Sequence, residues 1–312
     1  MTTGFDLPAG PQAPPTAPLP APLPASVPAS VPAPVPVPPV PPGPFAIGAP
    51  GRAAFGTPDG PPPAVVSPPD MAASSAALPG MRIRAASVRG IQHKAQHTAR
   101  QDAFALAQVG GSRAIAVVCD GVGSLDRSDY AAALVSQRLA QLAMCGVSWP
   151  AAFETANAEL GEVIAEWAAA QRGSMATTAV ALTVTWQSGW WLGEAAWVGD
   201  SPLWHLRTDG AWEPVTEVPA EGGQGFHSST VEPLPTPDGS CSWCSFRVYG
   251  GALFAMSDGV GNPLAWSAEV RDTLASWWAG PPELLTFAAQ VGFARKSHID
   301  DRTVVGIWPD GE

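Results

Sequence analysis

Three aspartate sites, each at the boundary of an apolar run, are the residues of this chain best suited to chemistry. Asp120 ends the run Ile115–Cys119 and is followed by Gly121-Val122-Gly123. Asp258-Gly259 follows the run Leu253–Met256, and Asp300-Asp301 stands just before Thr303–Trp308. A carboxylate fixed at a strand end, beside a glycine that admits backbone and solvent, is what a hard divalent cation needs. Taken singly, an Asp-Gly pair closes a hairpin equally well. Recurrence at three strand ends favours ligands over turns. Brought together, such groups hold two divalent cations about 3.5–4 Å apart, which activate water and neutralise phosphoryl charge. Phosphate monoesters hydrolyse so slowly unaided that help of this size is required. An all-oxygen set favours Mg²⁺ or Mn²⁺ over zinc.

The elements that must position these residues follow from the apolar patterning. Strands are predicted over 81–90, 103–109 and 113–119, the three forming a meander that ends at Asp120. Two helices begin at Ser128 and Pro150, the latter a good first-turn residue. Strands return over 176–186, 189–200 and 202–207, then again at Ser242–Tyr249 and Ala252–Asp258. Helices are predicted over 264–279 and 282–295, and 303–308 closes the domain as a strand. Residues 214–240 read as an irregular loop long enough to be a functional flap. This order suggests antiparallel sheets covered by helices, an α+β fold.

Composition divides the chain near residue 80. Residues 1–80 hold 25 of the 36 prolines and Arg52 as their one basic residue. Such a stretch predicts a disordered, polyproline-II-like tail, a spacer or a docking segment for a partner, ahead of a domain over 81–309. Net charge is −11, and removing Arg52, Asp6, Asp59 and Asp70 leaves −9 for residues 81–312. That balance argues against nucleic acid as a partner. No leader pattern opens the chain and no segment has the roughly 20 apolar residues of a membrane span, so a cytoplasmic protein is expected. Cys119 and Cys145 read as buried thiols, and Cys241-Ser-Trp-Cys244 is a lone CxxC with no second pair.

In chain order the motifs are Gly90-x-x-His93 with Gln101-Asp102, Asp120-Gly121-Val122-Gly123 and Met175-Ala-Thr-Thr178. Val198-Gly-Asp-Ser201, Ser257-Asp-Gly259 and Asp300-Asp-x-Thr303 follow. Each is short, but six in this order make residues 81–309 resemble the metal-dependent PP2C-type (PPM) serine/threonine protein phosphatases, especially their divergent bacterial branch. The resemblance implies a four-layer αββα sandwich, two antiparallel sheets flanked by helices, with two Mn²⁺ or Mg²⁺ ions at one edge. It implies Asp120 as the bridging ligand beside the Gly121 carbonyl, Asp258 and Asp300 as further ligands, and Asp102 as the group orienting water. Phosphoproteins made by a serine/threonine kinase are the implied substrates. Asp200 would brace loops, and Asp301 falls where the family usually has asparagine.

Several positions depart from the family pattern. His97 stands where many members carry a phosphate-gripping arginine, with Arg100 on the same segment; both are candidates for holding substrate phosphate. Gln101 replaces the usual glutamate, Ala176 a glycine, and Pro202 the arginine after Asp200-Ser201. Gly173 occupies the place of a third-metal aspartate. The ligand set thus looks intact and the substrate grip altered, which leaves a weakly active or inactive regulatory module as the second reading.

Overall fold

The computed structural model describes residues 45–49, 69–217 and 232–310. The chain begins its regular structure with β1 (Met71–Leu78), β2 (Met81–Val88) and the short helix α1 (Ile91–Gln96). Next come β3 (Ala103–Val109), β4 (Arg113–Gly121), α2 (Ser128–Met144) and α3 (Trp149–Ala169). Strands β5 (Thr177–Gln187), β6 (Trp190–Val198), β7 (Leu203–Leu206) and β8 (Trp212–Pro214) precede β9 (Ser242–Tyr249) and β10 (Ala252–Met256). Helices α4 (Asp258–Trp266), α5 (Ala268–Trp277) and α6 (Leu284–Val291) lead to β11 (Arg302–Pro309).

One sheet has six strands in the order β1-β2-β11-β10-β7-β8, the other five in the order β3-β4-β5-β6-β9. Every pairing between these strands is antiparallel. Three apolar layers alternate with the strands. Ile83, Ala116, Val118, Leu253 and Val305 fill the space between the sheets. Ile115, Val117 and Cys119 face Val135, Leu139 and Phe153 of α2 and α3. Phe254 and Met256 face Leu274, Trp278 and Phe287 on the opposite outside. β4 is apolar without a break because alternate residues serve two cores, and all of Ala114–Cys119 are 0% exposed. The result is an α+β sandwich of two antiparallel sheets flanked by helices.

Two indole donors in the second helical layer are satisfied internally, whereas Trp204 Nε1 is buried without a partner. Trp308 Nε1 donates to the Trp278 carbonyl at 2.7 Å, and Trp278 Nε1 to Gln290 Oε1 at 3.1 Å. The Trp278 ring stacks on Phe254 at 5.1 Å.

Four expectations are corrected. The expected meander of the first three strands is absent, because β2 pairs with β1 and β11 while β3 pairs with β4 in the other sheet. The expected boundary at 81 is too late: β1 adds an edge strand of eight residues, and Ile47 is 1% exposed within the core. The predicted helix over 264–279 is two helices, and the first already begins at Asp258. Cys145 is an exposed thiol capping α2 rather than a buried one. As for the CxxC, Cys241 packs toward the helices and Cys244 between the sheets, so the two thiols face opposite layers. Residues 1–44, 50–68 and the middle of the expected flap, 218–231, lie outside the described residues. No described helix is long and apolar enough to cross a membrane.

Candidate metal centre

The sheets bring two of the predicted carboxylates together at one edge. Asp120 lies at the end of β4 opposite Thr178, whose neighbour Thr177 donates its hydroxyl to the Asp120 carbonyl at 2.9 Å. Asp258 is the first residue of α4, where a helix N-terminus favours a carboxylate. Its backbone N–H donates to Asp120 Oδ2 at 3.4 Å, joining an end of one sheet to an end of the other. Glycine is required beside Asp120, because a Cβ on Gly121 would lie 2.7 Å from the Gln101 carbonyl and 2.8 Å from Ser128 Cβ. A Cβ on Gly259 would collide with the Asp301 carbonyl, so the same need fixes the residue after Asp258.

Asp300 lies at the open side of this cluster and Asp102, 3% exposed, at its base. Burial, first of all, holds the Asp120 carboxyl well above the usual range, with the charges of Asp102, Asp258 and Asp300 adding to it. Burial and then the Asp301 charge raise Asp102, against hydrogen bonds from Ser257 and Thr303. Asp258 is pushed up to about 7 by burial and by the charges of Asp200 and Asp300. Asp300 and Asp200 are raised as well, chiefly by loss of surrounding water. Asp200, expected to be a brace, thus also adds its charge to the cluster. These five carboxylates act on one another through their charges, and Asp102 Oδ2 is buried and unpartnered. They are oxygen donors of the kind hard divalent cations take, though among the described residues no three of them bring ligand atoms within 4.8 Å.

Asp301 does a different job from its neighbour. Its Oδ1 accepts from the Gly90 N–H at 2.6 Å and lies 2.9 Å from His93 Nδ1, and its Oδ2 accepts from the Gln101 N–H at 2.5 Å. Among the described residues, one trio of ligand-type side chains (His93, Asp300 and Asp301) has its candidate atoms all within 4.8 Å. With both Asp301 oxygens already engaged, that trio is a brace beneath Asp300.

Sequence reasoning missed Arg302. Its side chain is buried, Nε donates to the Gly259 carbonyl at 3.2 Å, and Nη2 donates to the His298 carbonyl at 2.7 Å. Pro263 lies four residues after Gly259 and has no N–H, so the Gly259 carbonyl is left for the guanidinium. Burial lowers Arg302 to about 10, against the charges of Asp300 and Asp258. A basic residue next to the Asp300-Asp301 pair at the start of a buried strand was the available signal.

The two phosphate-binding candidates separate. His97 is exposed at the left-handed C-cap of α1, φ 57°, and contacts none of the acidic groups. Arg100 Nε donates to the Asp102 carbonyl at 3.0 Å, while its Nη1 is buried without a partner. Burial lowers the Arg100 pKa.

Residues 89–283, more than half of the chain, match the family model described as protein phosphatase 2C. The fold is similar to that of a serine/threonine phosphatase from S. agalactiae, with TM-score 0.54 and 16% identity over 74% of this chain and 100% of that one. It is also similar to a bacterial serine phosphatase, with TM-score 0.51 and 16% identity over 74% of this chain and 98% of that one. The RsbU and RsbW domains of a Mycobacterium tuberculosis protein give TM-score 0.53 and 18% identity over 74% of this chain and 60% of that one. No curated protein matches. Family match, antiparallel αββα layers and the acidic edge agree: the chain is a member of the protein phosphatase 2C family.

Proposed function

We propose that the chain is a metal-dependent protein serine/threonine phosphatase acting on phosphoserine and phosphothreonine with two Mn²⁺ or Mg²⁺ ions. The observation that carries this reading is the meeting of Asp120 and Asp258 across the sheet ends, with Asp300 and Asp102 in electrostatic reach. In this reading Asp120, the Gly121 carbonyl, Asp258 and Asp300 would hold the cations, and Asp102 would offer its unpartnered Oδ2 as an acceptor for water. Bound cations would supply activated water and neutralise phosphoryl charge. Arg302 contributes a positive charge behind these residues, and Arg100, whose Nη1 is buried without a partner, is the candidate for contact with a phosphoryl group. Substrates would be phosphoproteins made by a serine/threonine kinase in the cytoplasm, with the proline-rich segment as the contact for a further partner.

The exposed His97, in place of a phosphate-gripping arginine, favours a second reading: a regulatory module of poor turnover. Hydrolysis of p-nitrophenyl phosphate and of a phosphothreonine peptide, with and without Mn²⁺, separates the two. Turnover that needs Mn²⁺ and vanishes in Asp120→Asn supports the phosphatase. Full turnover in excess EDTA would remove the two-cation mechanism.

A further inference from the structure

The segment Phe45–Ala49 is seated against the folded domain although proline-rich sequence surrounds it. Ile47, 1% exposed, belongs to the apolar cluster of Val270, Leu274 and Phe293. Phe45 packs edge-on against Trp277 at 5.1 Å. Backbone bonds form a short parallel ladder. Ala294 N–H donates to Phe45 O at 2.6 Å, Ile47 N–H to Ala294 O at 3.1 Å, and Lys296 N–H to Ala49 O at 2.9 Å. Arg295 Nη1 donates to Ile47 O at 3.1 Å and Nη2 to Ser267 Oγ at 3.2 Å. Gly48 has φ 70°, and a Cβ there would sit 2.7 Å from Glu269 Oε2 and 2.9 Å from Arg295 Nη1. The seat therefore selects an apolar residue at 47 and glycine at 48.

The segment leans on the stretch that feeds the Asp300 loop. His298 N–H donates to Arg295 O at 3.2 Å, and the Ile299 carbonyl accepts from Gln92 N–H at 3.0 Å. His298 O accepts from Arg302 Nη2, whose Nε reaches the Gly259 carbonyl beside Asp258. Hydrogen bonds thus run from Phe45–Ala49 through Arg295, His298 and Arg302 to the Gly259 carbonyl, and along the backbone they end at Ile299; these are the residues flanking Asp258 and Asp300. Both the Ala294 and Lys296 N–H groups find their acceptors in this segment, so its seating satisfies donors on the stretch leading to Asp300. Residues 50–68 tether the segment to β1, which makes docking intramolecular.

We propose that Phe45–Ala49 is a docking segment acting in cis, a positioning device whose seating orders the Asp300 loop and thereby sets cation affinity at Asp258 and Asp300. This rests on the proposed function only for its metal readout. The tests use the full chain. Gly48→Ala loosens the segment by straining its left-handed backbone, φ 70°, and by pushing on the Glu269 and Arg295 side chains, and Ile47→Asp does so by removing its apolar anchor. Each is expected to speed amide hydrogen exchange across residues 294–300 and to weaken Mn²⁺ binding by roughly 5- to 150-fold, the usual span of a coupling between sites. Leu139→Ala, in the apolar layer on the opposite outside, is expected to lower the melting temperature with Mn²⁺ affinity and exchange across 294–300 kept. Unchanged exchange in both segment variants would overturn the proposal, as would faster exchange with Mn²⁺ affinity intact. If the parent chain binds no Mn²⁺, the proposed function fails, and exchange across 294–300 still decides the docking.

Discussion

Asp301 and His93 form a closed pair beneath the acidic cluster, Oδ1 to Nδ1 2.9 Å, with each side chain 2% exposed. Asp301 also accepts from the Gly90 and Gln101 N–H groups, so one carboxylate ties the start of α1, the residue before Asp102, and the residue after Asp300. An asparagine offers one acceptor oxygen and would aim its NH₂ at a donor. Asp301→Asn is therefore expected to cost about 3–5 kcal/mol, as for removing one partner of a buried pair. Urea unfolding measures it, and a variant as stable as the parent would dismiss the brace. Where the family usually carries asparagine, this chain has matched a carboxylate with two backbone donors and the nearby His93 ring.

The acidic cluster makes the metal-free protein a base-sensitive fold. Asp258 moves from 3.8 to about 7 on folding, chiefly by burial, so the folded state holds its proton more tightly than the unfolded chain. Stability from this group is lost as pH rises from about 4 to about 7. His93 is raised above 6.5, chiefly by its hydrogen bond to Asp301. Its contribution is full below 6.5 and fades as pH climbs through the folded value, the same direction. In EDTA the urea midpoint should drop between about pH 5 and about pH 8, and less so in Asp258→Asn. Added Mn²⁺ should raise the midpoint more at the higher pH, where the carboxylates are free to bind. Equal increments at both would show that these carboxylates do not hold the cation.

Arg302 supplies the internal counter-charge of the cluster. It bonds the carbonyls of Gly259 and His298 and lies 4.8 Å above the Phe293 ring. Arg302→Met keeps the stem but removes the donors to the Gly259 and His298 carbonyls and the positive charge near Asp300 and Asp258, at a cost of about 1.5–3 kcal/mol per charged hydrogen bond lost. Excess Mn²⁺ should restore part of that loss. Arg302→Lys keeps the charge without the fork and should fall between the two. A methionine variant as stable as the parent in EDTA would refute the counter-charge role.

Much of the fold was legible because burial leaves a direct trace. The unbroken apolar run into Asp120 reads as a strand covered on both faces, and β4 is one. Asp-Gly pairs at strand ends marked Asp120 and Asp258, where close backbone approach forbids a Cβ. Pairing was less legible, since β2 joins β11 across more than two hundred residues and no local pattern encodes a partner so distant. β1 is MAASSAAL, short of the β-branched and aromatic residues that announce strands, and it is held by pairing at a sheet edge. Ile47 was hidden by its neighbours, since composition averages over a window and one anchoring side chain does not move the average. Arg302 escaped because its role exists only once Pro263 leaves the Gly259 carbonyl free.

The substrate grip is the last matter the geometry decides in advance. Arg100 is half-buried, its Nε fixed on the Asp102 carbonyl and its Nη1 without a partner. A guanidinium held by one edge keeps its other donors aimed, which suits a phosphoryl oxygen. Arg100→Ala should raise KM by an amount equivalent to about 1.5–3 kcal/mol, with kcat little changed. If kcat falls instead, Arg100 acts by holding Asp102, and Arg100→Lys should then fail to restore it. His97 calls for a different substitution, because its φ of 57° strains alanine and suits asparagine. His97→Asn should leave KM, kcat and the shape of the pH profile as they are. Loss of an acidic limb in His97→Asn, with Arg100→Ala silent, would reverse the assignment and give the phosphate to the histidine. Should both variants turn over like the parent, the cations alone hold the phosphoryl group, and selection among phosphoproteins must come from surfaces beyond the metal edge.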